Sequence, residues 1–254
     1  QVLSDAGHID IKKRQDCRDV HPVAVFAHTV VRPQPIPDAL MALGEYVADR
    51  GLEGEGLYQA ARDLLLRLRP RGVDFPLNHE GEETLEAAKR LVCEMPSGIL
   101  PMQGPPGSGK TYTGSRMICD LVSQGKTVGI TANSHKVIRN MLDGVVKAAR
   151  EAGLDLQCIQ KVGEIPDAVE GIMFTKDNAQ MLSTLGSTAQ VGGATAWFWS
   201  REDARNSVDV LFVDEAAQMA LANALAVSGA AKTVVLLGDP QQLDQPVQGS
   251  HPDG

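Results

Sequence analysis

Eight consecutive residues, Gly104-Pro105-Pro106-Gly107-Ser108-Gly109-Lys110-Thr111, fit the pattern G-x-x-x-x-G-K-S/T. Holding a polyphosphate calls for these residue types at this spacing. Glycines let backbone N–H groups curl around phosphate oxygens without side-chain interference, and a following helix aims its positive N-terminal end at them. Lys110 is spaced to reach the β- and γ-phosphates and the Thr111 hydroxyl to bind Mg2+, with Tyr112 the next residue of the nucleotide-binding set. The bland alternative is a Gly/Pro turn between a strand and a helix. An apolar strand before the loop and a helix after it weigh against that alternative.

A second cluster follows a nearly continuous apolar run, Val208 to Val213, which ends in Asp214-Glu215-Ala216-Ala217-Gln218. Two adjacent carboxylates at the tip of a buried strand are costly unless a cation sits beside them. With a phosphate loop nearby, Asp214 is placed to hold Mg2+ and Glu215 to orient and deprotonate an attacking water. A solvated turn, or a helix N-terminus that favours acids, is the competing explanation. A third run, Thr233 to Leu237, ends in Gly238-Asp239-Pro240-Gln241-Gln242-Leu243, where the Gln242 amide can lie near the γ-phosphate.

These residues need a scaffold that brings strand ends together. Strand candidates are Gly98 to Gln103, Thr127 to Ala132, Leu156 to Val162, Gln190 to Trp197, Val208 to Val213 and Thr233 to Leu237. Helical periodicity covers residues 81–95, Gly109 to Ser123 and Ser134 to Ala152. Such alternation predicts an α/β fold with a parallel sheet flanked by helices, its ligands at the carboxyl edge of the strands. Upstream, Asp38 is a candidate cap for a helix ended by Gly51, and a second helix covers Tyr58 to Leu68. Residues 1–36 mix short apolar runs with prolines and read as strands and turns.

Composition excludes little. The net charge of −8 gives no hint of nucleic acid, and the clusters Lys12 to Arg14 and Arg67 to Arg71 read as solvated faces. No apolar run has the length of a membrane span, and the N-terminus carries no apolar signal core, so the expectation is a soluble cytoplasmic protein without membrane partners. The N-terminus also lacks an initiator Met, as expected of a piece of a longer polypeptide. Cys17, Cys93, Cys119 and Cys158 are too scattered for a zinc site or disulfide framework, and His21 and His28 lack a third ligand.

Taken in order, Gln103 to Thr111, Asp214 to Gln218 and Gly238 to Leu243 resemble the motifs of superfamily 1 helicases. The similar branch includes the nonsense-mediated-decay RNA helicase and the Okazaki-fragment nuclease-helicase. Thr131 to Asn140, Gly238 to Gly254, Asp19 to His28 and Tyr58 to Arg67 are similar to a bacterial group in which a RecB-like nuclease domain precedes the helicase. The resemblance implies a RecA-like ATP-binding domain over 81–254, linking helices over 37–80, and the end of a β-rich inserted subdomain over 1–36. It implies ATP and Mg2+ as ligands, Lys110, Glu215 and Gln242 as catalytic residues, and Thr111 and Asp214 at the metal. It also implies that Asn133 and Ser134 touch the backbone of a single strand, DNA favoured over RNA through the nuclease link. Ser134 can equally be a helix cap. The second RecA-like domain with its arginine finger, and the nuclease domain, are expected elsewhere in the full polypeptide, leaving this chain alone nearly inactive. One departure stands out: the segment Leu77-Asn78-His79-Glu80 is followed by Gly81 and Glu82, without the glutamine that reads adenine in many relatives. A GTPase or kinase-like phosphotransferase, and a non-catalytic nucleotide-binding module, are the alternatives.

Overall fold

In the computed structural model, which describes residues 15–19, 34–105 and 107–239, the alternating pattern becomes one sheet. The strands are β1 (Gly98–Gln103), β2 (Val128–Thr131), β3 (Cys158–Lys161), β4 (Ile172–Thr175), β5 (Val191–Gly193), β6 (Val210–Val213) and β7 (Thr233–Gly238). They pair in the order β1-β7-β6-β2-β5-β3-β4, each pair parallel. Helices are α1 (Ile36–Arg50), α2 (Gln59–Leu65), α3 (Thr84–Glu94), α4 (Lys110–Ser123), α5 (His135–Ala152), α6 (Asn178–Thr184), α7 (Ala196–Trp199) and α8 (Leu221–Val227). The chain divides into two compact units, residues 1–32 and 33–254. Of the first, only 15–19 are described, with a 3-10 turn at Gln15–Cys17; the expected β-rich segment lies outside the described residues.

The sheet is buried on both faces, which is why its strands read as unbroken apolar runs. Along β6, Val210 and Phe212 join Leu91 of α3, Met117 of α4 and Met141 of α5 in one core. Leu211 and Val213 join Met181 of α6, Trp199 of α7 and Val227 of α8 in the other. Among the described residues strand β1 has β7 as its one neighbour, and this edge place tolerates Pro101, which has no N–H to give a second partner. Where helices must lie close, the strands carry glycine. A Cβ on Gly193 would stand 2.6 Å from Ile138 Cγ2 and 2.8 Å from Leu142 Cδ1 of α5.

Three sequence expectations are corrected. The strand proposed over Gln190 to Trp197 stops at Gly193, and Ala196–Trp199 is a helix. Trp199, 1% exposed, donates its Nε1–H to Ile130 O and Ala194 O at 3.0 Å each, which ties the turn back onto the ends of β2 and β5. Asp38 is not the cap of α1: Pro35 flanks the helix, and Asp38 lies in its first turn, favourably placed for the helix dipole. Finally, the Arg67 to Arg71 cluster is not simply a solvated face. Arg71 pairs with the buried Asp63 through Nε at 2.6 Å and Nη2 at 2.8 Å.

The second unit also contains a buried cation that no sequence pattern announces. Arg62, 1% exposed, donates to the carbonyls of Leu52, Glu53, Gly54 and Leu57 and to Gln59 Oε1, all within 3.0–3.1 Å. A guanidinium buried without a carboxylate partner is tolerable here because its donors are satisfied by five oxygens. It gathers the 51–58 loop between α1 and α2.

Candidate functional site

Strand β1 delivers the phosphate loop to the carboxyl edge. The Gly104 N–H donates to Gly238 O at 3.1 Å, so the loop springs from the point where β1 and β7 end together. Gly107 and Gly109 take φ of 78° and 84°, the left-handed region that glycine enters without steric cost. Gly104 is confined: an added Cβ would lie 2.3 Å from Ser108 Oγ and 3.3 Å from Lys110 Cγ. The Lys110 ammonium folds back to donate to Gly104 O at 2.5 Å and Pro105 O at 3.0 Å. Thr111 and Tyr112 follow in the first turn of α4, Thr111 half-buried and Tyr112 55% exposed. Pro105 and Ser108 are exposed on the loop, and Pro106 lies outside the described residues.

Two strands away, β6 ends in Asp214, 6% exposed. Its N–H donates to Thr131 O at 2.9 Å, and its Oδ1 accepts the Glu215 N–H at 2.9 Å. Burial pushes its carboxyl above the usual range and the neighbouring Glu215 charge adds to that. The Glu215 N–H and the Lys110 ammonium pull the other way. Strand alternation puts Asp214 on the same face as Val210 and Phe212, the face covered by α4. Lys110 and Asp214, 104 positions apart in the chain, are thus brought within electrostatic range. Glu215 takes φ of 53°, left-handed for a residue with a side chain, a conformation that costs on the order of 1 kcal/mol and clusters at functional sites. Of the third motif the structure describes Gly238 and Asp239, the latter 4% exposed; Gln242 lies outside the described residues.

At the next strand end, Ser134 is the N-cap of α5, its Oγ accepting the Val137 N–H at 3.2 Å. Asn133, just before it, has a buried Nδ2 with no hydrogen-bond partner among the described residues. Beside this turn lies a cleft of about 440 Å3, lined by His135, Lys161, Asn178, Thr195, Trp197 and Arg201 among others. These residues follow the carboxyl ends of β2, β3, β4 and β5, so the cleft shares its edge with the phosphate loop. Trp197 is 42% exposed. The expected strand over Gln190 to Trp197 ends on this residue and gives it no exposed face of its own. A helical period would have separated the buried Trp199 from the exposed Trp197. Arg201 is engaged by Asp203 through Nε at 2.8 Å and Nη2 at 2.6 Å.

A parallel sheet with a glycine-lined loop at the end of β1, a lysine and threonine opening the next helix, and a buried aspartate at the end of β6 defines a P-loop nucleotide-binding domain. The chain belongs to the AAA-domain family, whose profile matches residues 82–252. No curated protein matches it. Its fold is similar to that of an arterivirus helicase, nonstructural protein 10, solved with DNA, at 21% identity and a TM-score of 0.36 over 66% of this chain and 33% of that one. It is also similar to the type ISP restriction-modification enzyme LlaGI, solved with a DNA substrate mimic, at 15% identity and a TM-score of 0.46 over 61% and 17% of the two chains. The UvsW helicase of bacteriophage T4 matches at 11% identity and a TM-score of 0.42 over 78% and 70%. The chain therefore spans a third or less of the first two proteins. No described helix is long and apolar enough to cross a membrane.

Proposed function

We propose that this domain is the ATP-hydrolysing half of a superfamily 1 helicase of the nuclease-linked branch, acting on single-stranded DNA. One observation carries the reading: the phosphate loop and the cleft holding Lys161, His135 and Trp197 lie on the same carboxyl edge, bridged by the Asn133-Ser134 turn. A motor needs its fuel site and its track on one rigid body, and this edge offers both. The Lys161 ammonium suits a phosphate backbone, and an exposed tryptophan suits stacking on an unpaired base.

In this reading the 104–109 loop wraps the phosphates, and the N–H groups of Gly107 and Gly109 and of Lys110 and Thr111 at the start of α4 are the donors, since the Gly104 and Ser108 N–H groups are already held by Gly238 O and Pro105 O. Lys110 leaves its two loop carbonyls to meet the β- and γ-phosphates, an exchange of neutral acceptors for charged ones. Thr111 and Asp214 fit Mg2+, since a hydroxyl and a carboxylate are hard oxygen donors and the burial that raises Asp214 would be offset by a nearby cation. No group of three or more His, Cys, Asp or Glu side chains among the described residues could hold a metal, so the ion would depend on phosphate and water oxygens for its remaining ligands. When bound, it would neutralise charge on the transferring phosphoryl group. Glu215 orients and takes a proton from the attacking water, and Gln242 senses the γ-phosphate. Arginines from a second domain would complete the site, contributing on the order of 10³–10⁵ in turnover.

The test is direct. The purified chain is expected to bind ATP with Mg2+ in calorimetry, to lose that binding in Lys110→Ala, and to turn ATP over very slowly. It should also bind a labelled DNA single strand in fluorescence anisotropy, with affinity that falls as salt rises and falls further in Lys161→Ala and Trp197→Ala. Nucleotide binding without any strand binding would sink the helicase reading. Preference for an RNA strand would overturn the DNA assignment, and unwinding by this chain alone would refute the need for a second domain.

A further inference from the structure

Resting on the nucleotide-binding reading, we infer that the domain holds the nucleotide base by its face, on the ring of Tyr112, and so takes ATP and GTP alike. Tyr112 follows the two residues that address the phosphates and the metal, and its Cβ lies 3.8 Å from where Gly109 would carry one. The ring therefore rises beside the last glycine of the loop. It is 55% exposed, large for an aromatic side chain in a folded domain.

The ring is also braced. The Arg116 guanidinium lies over it, 3.4 Å from the centroid. That guanidinium is fixed at two points, through Nη1 to Tyr112 O at 3.3 Å and through Nη2 to Glu151 of α5 at 2.5 Å. An ordinary aromatic-cation pair one helical turn apart is free to swing away. This one is tethered to a second helix, so the guanidinium is held over one face of the ring before any ligand arrives, which lowers the ordering cost of a base stacking on the other face. A cation behind an aromatic ring and a base in front make a three-layer stack, and stacking tolerates every base because each has a π-face.

The segment that reads the adenine edge in similar helicases is occupied with other work. Glu82 accepts both Arg90 Nε at 2.8 Å and Arg90 Nη2 at 2.7 Å, as well as the His79 N–H at 2.9 Å. Arg90 Nη2 also holds Leu77 O at 2.8 Å. The 77–82 turn is stapled to α3 by its one half-buried carboxylate, which leaves that group no capacity to read a base.

Calorimetry on the purified 254-residue chain, with Mg2+ and either ATP, GTP or inorganic tripolyphosphate as the probe, tests the inference. ATP and GTP are expected to bind within about threefold of one another, and both more tightly than tripolyphosphate. Tyr112→Ala should weaken both nucleotides on the order of tenfold and leave tripolyphosphate unchanged. Tyr112→Phe should restore binding, and Glu151→Ala, which frees the brace, should weaken both nucleotides to a smaller degree. A preference for ATP over GTP beyond about tenfold would mean an edge reader and overturn the inference. So would nucleotide affinity untouched by Tyr112→Ala, or tripolyphosphate binding that falls in step with it. If tripolyphosphate does not bind at all, the phosphate-loop reading fails and the platform falls with it. If it binds and the base adds nothing, the platform alone fails.

Discussion

Arg71→Ala and Asp63→Ala remove opposite ends of one ion pair, and they should not cost the same. The Asp63 side chain is 1% exposed, while that of Arg71 is 30% exposed. The carboxylate takes two hydrogen bonds from Arg71 and one from Gln59 Nε2 at 2.8 Å. Its hydrogen bond and charge hold the Arg71 guanidinium above its ordinary value, against a smaller opposing effect of burial. Without Arg71 the carboxylate stays buried with one neutral donor, and stranding a buried charge costs roughly 3–5 kcal/mol. The surviving Gln59 bond places the expected loss near the lower end, about 3 kcal/mol. Without Asp63 the guanidinium can turn into water, so the loss is that of a partly screened, charge-assisted pair, about 1–2 kcal/mol. Urea unfolding followed by circular dichroism measures both, and the double variant gives the coupling. Equal losses, or a larger loss for Asp63→Ala, would refute the claim that burial of the carboxylate controls the pair. The pair lies under the first residue of β1, since a Cβ on Gly98 would stand 2.7 Å from Asp63 Oδ2. Its loss should therefore loosen the strand that presents the phosphate loop.

Gly193→Ala forces a methyl group against Ile138 and Leu142; over-packing of this kind costs roughly 1–3 kcal/mol, to be read as a lowered thermal midpoint. Ser134→Ala removes the cap of α5 and should cost about 1 kcal/mol in urea unfolding, with Ser134→Asp largely restoring it. Arg90 and the His79 N–H hold the Glu82 carboxyl down to about 2 from its usual 4.5. Its contribution is therefore fully present above pH 4.5 and is lost as pH falls through about 2. Acid titration of stability should show a shallower low-pH limb in Glu82→Gln, and an unchanged limb would refute the assignment.

The parts of the fold legible in sequence are those where one physical requirement dominates. Strands buried on both faces announce β6 and β7 as apolar runs, and α5 announces itself by an apolar stripe with a serine before it and Gly153 after it. Strand β4 and helices α6 and α8 were not read. At four to seven residues each is too short for a period to emerge, and α6 and α8 cover the sheet with few buried side chains. The end of the 190–197 segment misleads because Val191, Thr195 and Trp197 favour a strand by propensity, whereas tertiary hydrogen bonds of Trp199 fix a helix over Ala196–Trp199. Of the candidate site, the glycine-rich loop and the carboxylates after β6 stand out in sequence as candidates because phosphate binding tolerates few alternatives at each position. The Lys110 fold-back, the tether on Tyr112 and the exposure of Trp197 were not. Each depends on residues remote in the chain or on the conformation of a loop.

Helix α5 joins the two halves of the proposed motor. It begins at the Asn133-Ser134 turn, with His135 in the wall of the cleft that holds Lys161 and Trp197. Ten residues into the helix it meets the phosphate-loop helix: a Cβ on Gly144 would lie 3.2 Å from Ser115 Oγ and 3.5 Å from Thr111 Cγ2. At its far end Glu151 holds Arg116 behind Tyr112. One helix thus touches the proposed strand cleft, the threonine proposed for the metal, and the brace of the proposed base platform. Closely packed interiors shift as units rather than deform smoothly. If the cleft holds a strand as proposed, a change there would have a short mechanical route to the proposed nucleotide site through α5, and the packing glycine at 144 is what lets the two helices approach closely.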